Sequence, residues 1–278
     1  MLLSQTLQRF DSTNLRLRVI SAAIMAPIAL LAVYLGGIVY GAVITGALTI
    51  GLYEWLRLIA PEAKTQTVSI ACALLVALMA AGFLFPPVWS AIFGFVFTVG
   101  LYLISSMRDK DPNAKWIAFG IPYMGCAGLS LMALRFMPEY GGAFIFYLLA
   151  VVWITDIGAY LFGCAIRGPK LAPSISPKKT WAGFFGGLIM ATIIGYAVAA
   201  LFGARHPSTA ILLSPVLSGV SQAGDLFESY FKRRSGVKES GDLIPGHGGV
   251  LDRIDGLVFA GIFAFLFQMT LGVSLHWW

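Results

Sequence analysis

The feature that most constrains this chain is a succession of long apolar segments separated by short polar loops. Hydrophobic residues make up 58% of the 278 residues, charged residues only 12%, and the mean hydropathy is +0.83. A soluble domain carries about a quarter charged residues, so this much apolar surface requires lipid as its solvent. Because a segment inside a bilayer must satisfy its own backbone hydrogen bonds, the sequence predicts an all-α, polytopic integral membrane protein.

Nine segments are long and apolar enough to span a membrane. With no internal repeat among them, we expect one integral membrane domain covering residues 1–278. The predicted spans lie near residues 19–36, 38–58, 67–85, 87–106, 116–135, 143–163, 182–203, 210–228 and 254–274.

The positions of Lys and Arg predict the orientation. If the N-terminus is cytoplasmic and the nine spans alternate, only Arg135 and Arg205 of the 19 Lys and Arg residues lie outside. Cytoplasmic loops are enriched in these residues, so we expect the two most basic loops, 164–181 and 229–253, to face the cytoplasm. The net charge of +6 suits anionic lipid or an anionic substrate. We expect no nucleic-acid partner, because there is no basic soluble domain.

The stretch from Ser229 to Asp255 is the most polar part of the chain. Its centre, 245–249, reads Pro-Gly-His-Gly-Gly, which favours neither regular helix nor regular strand. His247 is a candidate ligand or base, although a zinc site is not expected without a second histidine. Basic residues here can neutralise phosphates, and acids can bind a hard cation through oxygen. These candidates are Lys232, Arg233 and Lys238 for phosphate, and Asp225, Asp252 and Asp255 for the cation.

Two carboxylates fall within apolar spans, Asp156 and Asp225. A carboxylate at membrane depth is costly and usually faces a polar cavity, a cation or a partner. A structural hydrogen bond, or interfacial exposure for Asp225, is the alternative. We therefore treat both as candidate site residues.

The segment from Ser176 to Thr180, Ser-Pro-Lys-Lys-Thr, has the composition of an anion-binding site. It offers two ammonium groups, Lys178 and Lys179, two hydroxyls, and the predicted start of a helix near residue 180, whose free N–H groups favour anions. A helix cap combined with a topology signal is an equal alternative. Together with the acids, this pattern indicates metal-assisted phosphoryl or nucleotidyl transfer to a lipid.

Several of these stretches also resemble one enzyme family. The segment beginning at Ser229, SYFKR-x4-KE, and the segment ending at Asp255, PGHGGVLDRID, resemble the signature of the bacterial phosphatidate cytidylyltransferases, or CDP-diacylglycerol synthases. The sequences TDIGAYLFG around Asp156 and SPKKTW at 176–181 resemble two further stretches of that family. The chain departs from the pattern at Glu239, where the charge is kept, and at Ala182, which we leave out of the site.

The resemblance implies transfer of the cytidylyl group of CTP to phosphatidate, giving CDP-diacylglycerol and pyrophosphate. It implies Mg²⁺ on the residues matching Asp225 and Asp252, with a second, monovalent cation such as K⁺, in the cytoplasmic (inner) membrane, and a homodimer. The catalytic region would be concentrated in 150–258. Phosphate contacts are expected from Lys178, Lys179, Lys232, Arg233, Lys238 and Arg253, substrate binding or support from Asp156, Ser176, Thr180, Ser229, His247 and Asp255, and close backbone approach to the nucleotide at Gly248 and Gly249.

Three alternatives remain open from the residues. A secondary transporter would also have many spans and intramembrane acids, but it predicts inverted repeats. A CTP-dependent lipid or polyprenol kinase would use similar parts for a different transfer. An inactive scaffold would show no enzymatic loss on changing Asp252.

Overall fold

The fold is a bundle of membrane-length helices with one small hairpin. The computed structural model describes residues 12–244, 248–272 and 277–278. The helices in this part of the chain are α1 (Ser12–Leu35), α2 (Gly37–Ile59), α3 (Thr65–Leu84), α4 (Pro87–Leu103, continued by a π-helical turn at Ile104–Arg108), α5 (Ala114–Arg135), α6 (Gly141–Ile166), α7 (Trp181–Leu201), α8 (Thr209–Arg234) and α9 (Leu251–Phe267, continued by a π-helical turn at Gln268–Gly272).

The predicted polytopic, helical class is confirmed. Within the described residues, eight helices, α2 to α9, are long and apolar enough to cross a membrane, counting the π-helical continuations of α4 and α9. Each coincides with a predicted span. The first predicted span, 19–36, lies in helix α1, whose described apolar stretch, Ala23–Leu35, is shorter than a membrane span. A membrane span at residues 19–36 therefore stays a prediction.

Glycine and proline separate successive helices where the chain reverses direction. Gly36 and Gly37 both have positive φ, 63° and 51°, which side-chain-bearing residues rarely adopt, and they divide α1 from α2. Pro87 opens α4 at its first turn, where the missing N–H is not needed by the helix. Helices α2 and α5 run antiparallel, since Tyr40 at the start of α2 bonds to Leu131 near the end of α5 and Trp55 near the end of α2 bonds to Trp116 at the start of α5.

A two-stranded hairpin lies between α6 and α7, in a stretch that we predicted only as a loop. Strand β1 (Lys170–Ala172) pairs antiparallel with β2 (Ser176–Thr180), with Lys170 opposite Thr180 and Ala172 opposite Ser176. The predicted helix start near residue 180 is confirmed, since α7 begins at Trp181. The hairpin gives the basic segment a defined backbone.

Helix α5 is the centre of the bundle and α4 lies at its edge. In the most apolar window of each, 72% of the residues of α5 are buried, compared with 17% for α4. At one end of the bundle an aromatic cluster joins α2, α5 and α8. Trp55 is fully buried there and donates from Nε1 to the carbonyl oxygen of Trp116 at 3.0 Å. The cluster consists of Trp55, Trp116, Phe119, Tyr123, Phe227 and Phe231.

An ion cluster ties α3 to the end of α4 at this same end. Asp109 accepts from Arg108 Nε at 2.9 Å, from Lys64 Nζ at 3.0 Å and from the Thr67 hydroxyl. The hydrogen bonds from Arg108 and then from Thr67 lower the pKa of Asp109 below its usual range. A carboxyl with a lowered pKa in the folded state stabilises the fold above its unfolded pKa of about 3.9, and this contribution disappears as the pH falls through the folded value.

We therefore expect Asp109→Asn to lower the melting temperature in detergent by roughly 2–4 °C at pH 7. The difference from wild type should shrink as the pH falls from about 4 towards the lowered folded pKa, because protonation of Asp109 in the unfolded chain favours unfolding of the wild type and not of the variant. Asp111→Asn in the same loop is the control. An equal deficit of Asp109→Asn at every pH would contradict the assignment of this stability to the charge.

Candidate functional site

The candidate site lies where α8, α9 and the loop between them meet. Asp225, Ser229 and Lys232 follow one another at i, i+4 and i+7 along α8, so they share one face of that helix. Asp252 and Asp255 lie in the first turn or so of α9, also on one side. Helices α8 and α9 pack together, which brings residues 27 positions apart in sequence, such as Asp225 and Asp252, to the same end of the bundle.

The central contact of the site is a buried cation between two carboxylates. Lys232 Nζ donates to Glu228 Oε2 at 3.0 Å and to Asp252 Oδ1 at 2.5 Å. The side chains of Lys232, Glu228 and Asp252 are 10%, 0% and 6% exposed. Charges removed from water in this way are retained only when they are paired, and removing one member leaves an uncompensated buried charge. The predicted site residues Lys232 and Asp252 are therefore in direct contact.

The loop before α9 folds around the second oxygen of Asp252. Asp252 Oδ2 accepts from the backbone N of Ser240 at 2.9 Å, from Ser240 Oγ at 3.0 Å and from the backbone N of Gly249 at 2.9 Å. Gly248 has φ +78°, and a Cβ there would lie 2.7 Å from Asp252 Oδ2. Glycine at this position lets the backbone pass close to the carboxylate. Asp252 thus sets the shape of the loop while facing Lys232.

Glu54 of α2 is a second carboxylate on this loop, and it is not among the site residues predicted from the sequence. It is 4% exposed, and it accepts from the backbone N of Val250 at 3.0 Å and of Leu251 at 2.7 Å. These N–H groups lie at the start of α9, where a helix has no acceptors of its own. The signal was available in the sequence, because Glu54 is an acid inside an apolar span and the argument applied to Asp156 applies to it equally.

The β-hairpin reaches the site through Lys179. Lys179 Nζ lies 2.6 Å from Asp225 Oδ2, and Ser229 Oγ donates to Asp225 Oδ1 at 3.2 Å. The Asp156 residue of α6 is exposed on the surface of the helix bundle. Its carboxyl interacts electrostatically with Asp225, Lys179 and Arg253. Four predicted site residues therefore belong to one cluster of interacting polar side chains, namely Asp156, Lys179, Asp225 and Ser229.

Asp255 extends the acidic part of the site toward the membrane interior. Its Oδ1 accepts from the backbone N of Gly256 at 2.7 Å, and it interacts electrostatically with Asp225 and Glu228. Within the described residues, the Tyr123 hydroxyl is buried and has no hydrogen-bond partner. The buried carboxyl of Glu228 lies close enough to that of Asp255 for the two to share a hydrogen bond.

Two predicted site residues have intramolecular roles in this structure. Thr180 is buried, and its Oγ1 accepts from the backbone N of Gly183 at 3.1 Å, so it caps α7. Arg233 donates from Nε to the carbonyl oxygen of Ile175 at 3.1 Å and from Nη1 to that of Val237 at 3.2 Å. Arg233 thus connects the hairpin to the long loop.

The remaining predicted residues lie around the charged group. Lys178, Lys238 and Arg253 are exposed, and within the described residues none of their side chains makes a hydrogen bond or an ion pair. Ser176 is half-buried in β2. His247 lies outside the described residues. The exposed side chains of Lys178, Lys238 and Arg253 therefore leave positive charge available to an anion at the edge of the site.

The donor atoms suit a hard cation, although they are not arranged as a complete metal site. All the acids offer oxygen, which Mg²⁺ prefers. Among the residues the structure describes, no three His, Cys, Asp or Glu side chains are grouped closely enough to hold one ion. Asp225 and Asp252 instead face Lys179 and Lys232. Glu228 and Asp255 add two further carboxyls beside Asp225 and Asp252, so the donor set consists of oxygen alone.

Comparison with known proteins extends over the whole bundle. A family model described as the cytidylyltransferase family matches residues 16–271. The phosphatidate cytidylyltransferase of Brucella suis biovar 1 is 40% identical over 258 residues, covering 92% of this chain and 93% of the relative. That of Pseudomonas aeruginosa is 35% identical over 256 residues, covering 88% and 94%. The similarity includes part or all of every helix from α1 to α9.

Proposed function

The chain belongs to the cytidylyltransferase family, and we propose that its reaction, the transfer of the cytidylyl group of CTP to phosphatidate, takes place where α8, α9 and the hairpin meet. The products are CDP-diacylglycerol and pyrophosphate. The observation that carries this location is the buried bridge of Lys232 between Glu228 and Asp252, because Lys232 and Glu228 lie on the same helix, α8, as Asp225, which pairs with Lys179 of the hairpin. It combines fixed cations with oxygen donors, as chemistry between two phosphates requires.

The reaction needs positioning and charge neutralisation more than acid–base catalysis. A phosphate oxygen of phosphatidate attacks the α-phosphorus of CTP, a new P–O bond forms, and the bond from the α-phosphorus to the bridging oxygen breaks. The electron pair leaves with pyrophosphate. The attacking oxygen is already anionic at neutral pH, so no strong base has to remove a proton. The barrier comes from bringing anions together, which Lys178, Lys179 and Lys232 would reduce.

We propose that Asp225 and Asp252 hold Mg²⁺, with a second, monovalent cation such as K⁺ nearby. The fit rests on the chemistry of the donor set, since Asp225, Asp252 and the neighbouring Glu228 and Asp255 offer only oxygen. A bound Mg²⁺ would supply charge neutralisation to the phosphates and to the departing pyrophosphate. Asp255 and Asp156 would act from the periphery through their negative charge. Arg233, Lys238 and Arg253 would meet phosphate at the rim.

We propose that the site faces the cytoplasm from the cytoplasmic membrane. The support is the concentration of Lys and Arg in the loops at this end of the bundle, with Arg135 and Arg205 at the other. CTP is a cytoplasmic nucleotide, and this orientation gives it access to the site. The homodimer implied by the family resemblance is also a proposal, which cross-linking in native membranes would test.

The experiment that tests the function follows label from CTP into lipid. Purified protein in phosphatidate-containing micelles with Mg²⁺ should transfer the label of α-labelled CTP to the organic phase, and leave that of γ-labelled CTP in water. The reverse pattern would identify a lipid kinase. If folded protein transfers label to lipid from neither nucleotide, the proposed transferase activity is excluded.

The proposed metal ligand predicts a specific change in the same assay. We expect Asp225→Asn to raise the Mg²⁺ concentration for half-maximal activity by about tenfold or more, because a charged oxygen donor is lost. Asp242→Asn is the control, since Asp242 is an exposed acid in the long loop. An unchanged Mg²⁺ requirement in Asp225→Asn would exclude Asp225 as a ligand.

A further inference from the structure

A separate pocket lies beside the charged site, between the N-terminal and C-terminal halves of the chain. Its volume is about 460 Å³, within the range of small-molecule sites. One wall comes from the end of α2 and the start of α5, and the other from the end of α8 and the loop that follows it. The lining includes Arg57, Asn113, Trp116, Arg234, Glu239 and Ser240.

The pocket shares a wall with the charged site through Ser240. The backbone N and the hydroxyl of Ser240 both donate to Asp252 Oδ2, at 2.9 and 3.0 Å. Phe231, another lining residue, directly precedes Lys232 on α8. A molecule in the pocket would therefore lie against the loop that surrounds Asp252.

The polar side chains of the pocket offer cations, an anion and an amide. Arg57 is held by contacts to the carbonyl oxygens of Pro61 and Ala63, at 3.5 and 3.3 Å. Arg234 and Glu239 are exposed, and within the described part of the chain neither side chain makes a hydrogen bond or an ion pair. Two guanidinium groups suit phosphate, while a carboxylate would repel it. The ligand must therefore present both an anionic part and a hydrogen-bond donor.

The pocket also has an aromatic wall. The rings of Trp116 and Phe231 pack edge to face, with centroids 4.8 Å apart. Phe231 is buried, so the half-buried Trp116 is the ring of this pair on which a flat heterocycle can stack, and stacking of this kind accepts any base. Asn113, in the turn before Trp116, brings a carboxamide with both a donor and an acceptor to the same pocket.

We propose that this pocket binds the cytosine base of CTP, an inference that rests on the proposed function. The exocyclic amine of cytosine is a donor that suits the Glu239 carboxylate, and the acceptors on the same edge suit the Asn113 amide. Arg57 and Arg234 then lie beside the triphosphate as it extends toward the charged site. The glycerol phosphate of phosphatidate has no aromatic ring to stack, so it fits this lining less well.

The test exploits the difference between CTP and UTP, which carries a carbonyl oxygen where cytosine has its amine. Glu239→Gln keeps the shape of the side chain but replaces one carboxylate oxygen with an amide group that donates hydrogen bonds. We expect it to reduce kcat/KM for CTP about tenfold and to improve the relative use of UTP, narrowing the CTP preference by tenfold or more. Asn113→Ser should weaken CTP use by about threefold to tenfold. The KM for phosphatidate should not change. Glu139→Gln, an exposed acid at the opposite end, is the matched control.

The outcomes separate this inference from the proposed function. A wild-type protein that never labels lipid removes the proposed function itself. Active variants that keep the full CTP preference and the wild-type KM for CTP overturn the pocket assignment alone. A raised KM for phosphatidate with normal use of CTP would also overturn it, since the pocket would then bind the lipid headgroup. Glu239 is exposed, so its substitution leaves the fold intact and the test remains decisive.

Discussion

Replacement of Asp252 by asparagine is expected to reduce cytidylyl transfer by a factor of about a thousand. Asp252 is 6% exposed in its side chain and contacts Lys232, Ser240 and Gly249 at once. Asparagine cannot accept with both of its terminal atoms, and it carries no charge to balance Lys232 or to hold a metal ion. The same substitution therefore removes the proposed metal ligand and loosens the loop.

Two further variants identify which of these effects matters. Asp242→Asn changes an exposed acid of the same loop and should retain wild-type activity. Lys232→Met removes the cation but leaves the Asp252 carboxylate, so it should lose activity without losing the metal ligand. Initial rates of lipid labelling across a Mg²⁺ series check all three. Asp252→Asn activity that recovers fully at high Mg²⁺ would restrict the role of Asp252 to metal affinity.

Replacement of Glu54 by glutamine is expected to reduce both stability and turnover. Glu54 accepts from two backbone N–H groups at the start of α9, and the amide nitrogen of glutamine would face one of them. An unpaired buried N–H costs about 1–3 kcal/mol, and more where a charged acceptor is lost. We expect the free energy of unfolding to fall by about 2–3 kcal/mol and kcat to fall about tenfold or more, because α9 carries Asp252.

The readout for Glu54 must distinguish positioning from general instability. Thermal unfolding in detergent gives the stability, and the rate at saturating CTP well below the melting temperature gives the turnover. Glu62→Gln, an exposed acid shortly after the same helix, is the control and should change neither. If Glu54→Gln were as stable and as active as Glu62→Gln, the loop would not depend on this carboxylate.

The helices could be predicted from the sequence because lipid imposes a simple requirement. A segment of about 20 apolar residues has no stable conformation in a bilayer other than a helix, so all nine predicted spans lie in helices, and eight of these helices are long and apolar enough to cross a membrane in the described residues. The β-hairpin could not be predicted. Its strands have three and five residues, and their polar, Pro-containing sequence carries no strand pattern. It depends on contacts with α8, such as that of Arg233 with Ile175.

The types of side chain at the site were predictable, and their partners were not. The cost of a carboxylate inside an apolar span identified Asp225, and the polar stretch from 229 to 255 identified Lys232 as a phosphate candidate and Asp252 as a cation candidate. That Lys232 pairs with Glu228 and Asp252 depends on how α8 and α9 pack, and spacing in the sequence does not determine this. The contact of Glu54 with the start of α9 could not be predicted either, because it depends on how the end of α2 packs against a helix nearly 200 residues later in the sequence.

The pairing of Lys179 with Asp225 has a consequence for the order of events in the proposed reaction. Before substrate arrives, the carboxylate proposed to take the metal is neutralised by the lysine proposed to take the phosphate. An incoming phosphate and an incoming Mg²⁺ can each separate this pair, and either one frees the group that the other needs. On the proposed assignments their binding would therefore be coupled with positive sign, and the coupling would be reciprocal by thermodynamic necessity. Lys179 and Asp225 would act as internal counterions that nucleotide and metal replace together.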